Sequence, residues 1–143
     1  MKYLIALTAF AAAGLLIAAD GGGSATYVDH DKVSAQFVKG GAIAKGPDFS
    51  VSANRRTGPG QVEVHDKETD IFHVMDGEAT LVTGGKMIGG KETKQGQWLG
   101  KSIEGGTTYH LTKGDVVTVP AGTPHWFKET NGIGYYTVKV IKP

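Results

Sequence analysis

A sixteen-residue run from Val62 to Gly77, VEVHDKETDIFHVMDG, limits what this chain can fold into more than any other feature. Side chains on a strand alternate between faces, so Glu63 and His65 share one face and Val62 and Val64 take the other. Asp66-Lys67-Glu68-Thr69 reads as a polar turn, after which Asp70-Ile71-Phe72-His73-Val74-Met75 resumes as a β-rich run. Asp70 is therefore expected opposite His65 across a hairpin. Three potential metal ligands, Glu63, His65 and Asp70, then converge on one patch, while Ile71, His73 and Met75 point away from it. A second run, GDVVTVPAGTPHW from Gly114 to Trp126, adds His125 just after a Pro-Ala-Gly-Thr-Pro turn.

Two separated boxes of this kind resemble the cupin family, and the resemblance extends over residues 58–126. In that family the first motif carries two histidines on alternate strand positions, then a glutamate, then a glycine seven residues beyond the acid. His65 matches the second histidine and Gly77 the glycine, but Glu63 stands at the first histidine and Asp70 at the glutamate. The second motif is matched without a gap by Gly114, Asp115, Pro120, Gly122 and His125. The resemblance implies an all-β double-stranded β-helix, the jelly-roll barrel, with its site in the lumen.

The remaining chain fits that expectation. The uncharged apolar run from Leu4 to Ala19, preceded by Lys2, is short for a membrane span. It reads as a secretory signal within residues 1–25, cleaved after Ala19 or, with better small-residue spacing, after Ala25. Residues 26–143 are then one exported domain, periplasmic or secreted, with no stable membrane insertion. There is no cysteine, so no disulfide can support it. About 120 residues must bury one core unaided. Formal net charge is +1, which gives no pull towards nucleic acid or an anionic membrane.

One short N-terminal helix is predicted over Asp29 to Gly41, capped by Asp29 or Asp31, with Val33 and Phe37 on one face and Gly40-Gly41 as the stop. His30 at its start is expected in solvent. Short strands follow at 42–44 and 49–55, and 54–60 reads as a turn. In this turn Arg55 and Arg56 are solvated or, alternatively, one of them clamps an anionic substrate. The glycine-rich segment Gly84 to Gly106 is long for a connection and is expected to be a mobile hairpin or lid, with Met87, Ile88, Trp98, Leu99 and Ile103 packing on something. A strand at 107–112 precedes the second box, and Asn131-Gly132 reads as a hairpin turn into a closing strand from Tyr135 to Ile141. His73 and His110 have the wrong parity for the site and are assigned to packing or an interface. The apolar face carrying Val62, Val64, Ile71 and Met75 is expected to be covered by a homodimer.

Neutral imidazoles from His65 and His125 with hard oxygens from Glu63 and Asp70 suit Fe, Mn, Zn or Ni better than Ca or Mg. Glu63 is either a fourth ligand or a general base beside the ion. Three kinds of function follow: a metal-dependent enzyme acting on a small organic molecule by oxygenation, isomerisation or lyase chemistry; a non-catalytic small-ligand binder; and a metal-free structural or interaction barrel. Cupins host many unrelated reactions, so the resemblance names none.

Overall fold

The computed structural model describes residues 23–143, so the apolar N-terminal run and the cleavage position after Ala19 lie outside the described residues. Among the described residues there are one helix and eleven strands, and no helix is long and apolar enough to cross a membrane. The helix α1 (His30–Lys39) has Asp29 as its N-cap, accepting from the Lys32 amide, and Gly40 as its C-cap at φ 74°. Such a cap stabilises a helix by roughly 1 kcal/mol. The helix docks through Phe37, whose ring lies 5.3 Å from that of Tyr136 with the Arg55 guanidinium above it.

Two long strands, β4 (Glu68–Thr83) and β11 (His125–Ile141), are antiparallel partners almost from end to end. Both bend at the same level, where the register slips between Asn131 and Gly134. Gly77 and Gly132 stand there at φ 70° and 67°, a left-handed conformation costly for other residues. A Cβ on Gly77 would also run into the Gly132 carbonyl. The bend divides each strand, so one strand pair serves two sheets. Asn131-Gly132 is thus a corner within β11 and not the expected hairpin turn.

In the first sheet, β1 (Gly41–Lys45) pairs with β2 (Phe49–Arg56), β2 with the C-terminal half of β11, that half with the start of β4, and β4 with β10 (Val116–Val119). In the second, β3 (Val62–His65) meets the N-terminal half of β11, which pairs with the end of β4, which pairs with β9 (Thr107–Leu111). The core lies between them: Phe72, Val74 and Tyr135 from the first sheet meet Leu81, Leu111 and Phe127 from the second. Phe72 and Phe127 pack edge to face at 5.4 Å, and Phe127 stacks on Tyr135 at 4.9 Å, favourable aromatic geometries.

The β3–β4 hairpin expected from the first box does not form. The chain crosses from one sheet to the other after His65, and side chains, not a strand ladder, bring His65 to Asp70. For the same reason Val62, Val64, Ile71 and Met75 do not make one apolar face, because the valines sit on one sheet and the other two on the opposite sheet. Val62 is also fully buried within its own chain. Part of its cover is the region predicted as a mobile lid, which is strands: β5 (Lys86–Ile88) pairs with β8 (Ser102–Glu104), and β6 (Lys91–Lys94) with β7 (Gln97–Gly100). β7 then extends the second sheet by pairing along the whole of β3, with Gly100 opposite Val62 and Gln97 opposite His65.

Candidate metal centre

His65 and His125 arrive from neighbouring strands, since His125 is in register with Glu63 on β3. The turn before His125 is tied to the first box: the Gly122 amide donates to the His65 carbonyl at 2.8 Å, and the Ala121 amide donates to the Thr69 hydroxyl at 3.2 Å. This is the physical content of the Pro-x-Gly-x-x-His spacing, because it fixes where the second imidazole enters. The two rings lie 5.2 Å apart between centroids. Asp70 comes from the opposite sheet and places Oδ2 3.5 Å from His65 Nε2 and 3.6 Å from His125 Nε2. Glu63 Oε2 lies 3.5 Å from His65 Nε2.

Each imidazole has its other nitrogen engaged. His125 Nδ1 donates to the Thr123 carbonyl at 3.1 Å. His65 Nδ1 meets Gln97 Oε1 at 2.5 Å, while Gln97 Nε2 donates to Glu68 Oε1 at 3.1 Å. A carboxylate only accepts, so the Gln97 amide nitrogen must face Glu68 and its oxygen must face His65, which makes Nδ1 the protonated nitrogen there. Both Nε2 atoms are left facing Glu63 and Asp70. His65 Nε2 is buried and has no hydrogen-bond partner, an arrangement that normally costs about 1–3 kcal/mol.

A proton shared with the two carboxylates, or a metal ion, would account for that orphan. Glu63, His65 and His125 each present one ligand atom within 4.8 Å of the other two, as do His65, Glu68 and Asp70. Ligand atoms about 2.1 Å from a tetrahedral ion stand about 3.4 Å apart, close to the 3.5 Å separations of His65 Nε2 from Glu63 and from Asp70. Imidazoles held through Nδ1 by an outer acceptor are the usual form of metal-binding histidine. The donor set therefore fits a divalent transition ion.

Lys139 was not anticipated as a site residue. It lies opposite Asp70 in the β4–β11 ladder and donates to Asp70 Oδ1 at 2.7 Å and to Glu68 at 2.9 Å. Arg56 likewise belongs to β2 and not to a solvated turn. Its Nη2 donates to Glu63 Oε1 at 3.1 Å and its Nε to the Tyr135 hydroxyl at 2.8 Å. Arg55, one residue earlier, faces outwards to Asp76. Glu68 was read as part of a turn, yet begins β4 two residues before Asp70 and so shares its face. The parity of Glu68 and Lys139 was visible in the sequence; Gln97 left no such signal. His73, His110 and His30 are exposed and away from the centre, His110 pairing with Glu78 at 3.3 Å.

Electrostatics follows from these neighbours. Burial by itself would raise the Glu63 and Asp70 carboxyls, but His65 and the Arg56 and Lys139 cations bring both below their ordinary values. Burial works against charge on His65 too, yet Asp70 and Glu63 hold it up to about 9. Burial pushes His125 down. Burial also opposes the Lys139 charge, which Asp70 and Glu68 more than offset. Two acids facing a buried imidazole thus favour a positive charge at this point, as proton or metal.

Beside the centre, a cavity of about 100 Å³ opens between the sheets, walled by Ser52, Asn54 and Arg56 of β2 and Tyr135, Thr137 and Lys139 of β11, with Glu63, Asp70 and His125 at its end. A wider cleft of about 440 Å³ reaches Glu63, His65 and Lys139 from beneath β6 and β7.

Two bent strands shared between facing sheets, with a His and acid cluster in the lumen, define a double-stranded β-helix with a polar internal cavity. That architecture is the cupin fold. A protein from Bacillus halodurans superposes with a TM-score of 0.59 at 14% identity, over 85% of this chain and 86% of its own. The cupin domain of Schizosaccharomyces pombe Cnp3 gives 0.53 at 14% identity, over 72% of this chain and 60% of that one. A cupin superfamily protein from Desulfitobacterium hafniense gives 0.51 at 15% identity, over 72% and 76%. No family sequence profile matches the chain, and no curated protein matches it in sequence.

Proposed function

We propose that the protein is an exported metal-binding cupin that holds a divalent transition ion through Glu63, His65, Asp70 and His125 and receives a small organic molecule in the adjoining lumen. The observation that carries this reading is the buried, unpartnered His65 Nε2, aimed at Glu63 and Asp70 while Gln97 occupies the opposite side of its ring. Two imidazoles and two carboxylates suit Fe, Mn, Zn or Ni. Export rests on the uncharged Leu4 to Ala19 run.

Glu63 reads as a ligand and not as a free base. Arg56 occupies Oε1, so Oε2 is the oxygen turned towards His65, and a carboxyl held below its ordinary range is a weak proton acceptor near neutral pH. A bound ion would supply Lewis acidity to an oxygen of the lumen ligand. The chain's own part is to hold the ligand set rigid through Gln97, Thr123, Arg56 and Lys139 and to exclude bulk water with the Phe72 and Phe127 wall. Elemental analysis of protein purified without a metal-binding tag tests this. One equivalent of a transition metal per chain is expected; a metal-free protein that also takes up none of the four ions would contradict the proposal.

A further inference from the structure

The cavity wall opposite the metal centre is built almost wholly of hydrogen-bond donors. Asn54 Nδ2 donates to the Ser52 hydroxyl at 3.1 Å and to the Thr137 hydroxyl at 2.9 Å, while Arg56 Nε donates to the Tyr135 hydroxyl at 2.8 Å. Each of the three hydroxyl oxygens is thus already accepting, and none of the three donates to a protein group among the described residues. Their protons are left for whatever fills the cavity. Arg56 commits two of its five N–H bonds, to Tyr135 and Glu63, and keeps the rest.

Charge agrees with this count. Around the centre three carboxylates, Glu63, Glu68 and Asp70, face two cations, Arg56 and Lys139. With neutral imidazoles that leaves one excess negative charge, and a divalent ion turns it into one excess positive charge. A donor-rich pocket with one net positive charge is matched by a single anion that accepts along its length. The volume, about 100 Å³, is roughly the room of three waters, which suits an acid of about two or three carbons.

We propose that the lumen ligand is a small organic oxyanion, a carboxylate whose oxygens are received by the Arg56 guanidinium and by the hydroxyls of Ser52, Tyr135 and Thr137. This rests on the metal reading for its net charge, but its wall of donors belongs to the chain itself. The side chains are supplied at alternate positions of two paired strands, with Thr137 opposite Ser52 and Tyr135 opposite Asn54. The recognition surface is therefore part of the sheet and needs no loop to close over it.

Calorimetric titration of glycolate, and of the neutral 1,2-propanediol of similar size, into tag-free protein whose metal is counted in the same sample tests the inference. Glycolate is expected to bind at least tenfold more tightly than the diol. Thr137→Val keeps the shape and removes a donor, and should weaken glycolate about tenfold, the usual worth of a hydrogen bond to a charged group, with metal content unchanged. Asn54→Asp, a second change at a partly exposed position, should weaken glycolate further by taking up both hydroxyl protons and adding a negative charge. Metal present with glycolate and the diol bound alike, or with neither bound, would overturn the oxyanion inference while leaving the metal reading intact. Absence of metal would sink the metal reading instead. The oxyanion inference then stands if the metal-free protein prefers glycolate to the diol, and falls if it does not.

Discussion

At the scale of single residues the site is an arrangement of outer groups that leave inner ones with one orientation. Gln97 sets the His65 tautomer, Thr123 sets that of His125, Arg56 takes one Glu63 oxygen and Lys139 takes one Asp70 oxygen. Loss of such an outer partner typically lowers metal affinity 10–100-fold, and Gln97→Leu is expected to do so here, read by competition against a chromophoric chelator. Glu63→Gln and His125→Ala remove proposed ligands and should lower affinity by at least as much. If Glu63→Gln bound metal as the parent does while losing turnover, Glu63 would be a base and the ligand assignment would be wrong. The residues that the two boxes carry, His65, Asp70 and His125, were legible in the sequence because each is fixed by a short local pattern. The roles of Gln97 and Lys139 were not, because they depend on which strands meet: Lys139 stands 69 residues from the Asp70 it bonds, and Gln97 reaches His65 only through the β3–β7 register; Glu68 shares the parity of Asp70 but reads as a turn residue.

At the scale of elements, the shared bend in β4 and β11 decides the architecture. Gly77 was legible as a motif position, but its physical duty was not. It lets a strand leave one sheet and enter the next against the Gly132 backbone. Gly77→Ala combines left-handed strain with collision against backbone and should destabilise the protein by about 1–3 kcal/mol or more. Gly132→Ala meets no atom within 4 Å and should cost only the strain of roughly 1–2 kcal/mol. Urea denaturation of the two variants checks the order, and an equal effect would mean the corner relaxes freely. The expected β3–β4 hairpin failed for the same reason. Alternating patterns identify strands and their inward faces, but β3 and β4 join opposite sheets, and nothing local to 62–75 records that crossing. The helix, by contrast, has its cap, its stop and the half-buried Val33 and Phe37 within a dozen residues, and it was read correctly.

At the scale of the whole molecule, the chain closes its barrel without disulfides and turns a small set of charged groups inwards, Arg56, Glu63, Glu68, Asp70 and Lys139, against an aromatic core of Phe72, Phe127 and Tyr135. The long 84–106 segment extends the second sheet beside β3 and delivers Gln97 to the centre, so metal release should loosen it. Hydrogen exchange of 91–100 is expected to quicken when a chelator removes the ion, and exchange that stays the same would separate this segment from the site. Export predicts that the mature chain begins between Asp20 and Thr26, and intact mass on protein from its native envelope checks it; Lys2 still attached would refute it. Whether His65, His125 and the two acids hold one ion is decided by an anomalous difference map collected at the absorption edge of the metal found by elemental analysis. A single strong peak is expected among His65 Nε2, His125 Nε2, Glu63 Oε2 and Asp70 Oδ2. A peak elsewhere, or Lys139 and His65 alone satisfying the two acids in crystals of protein that carries stoichiometric metal, would contradict it.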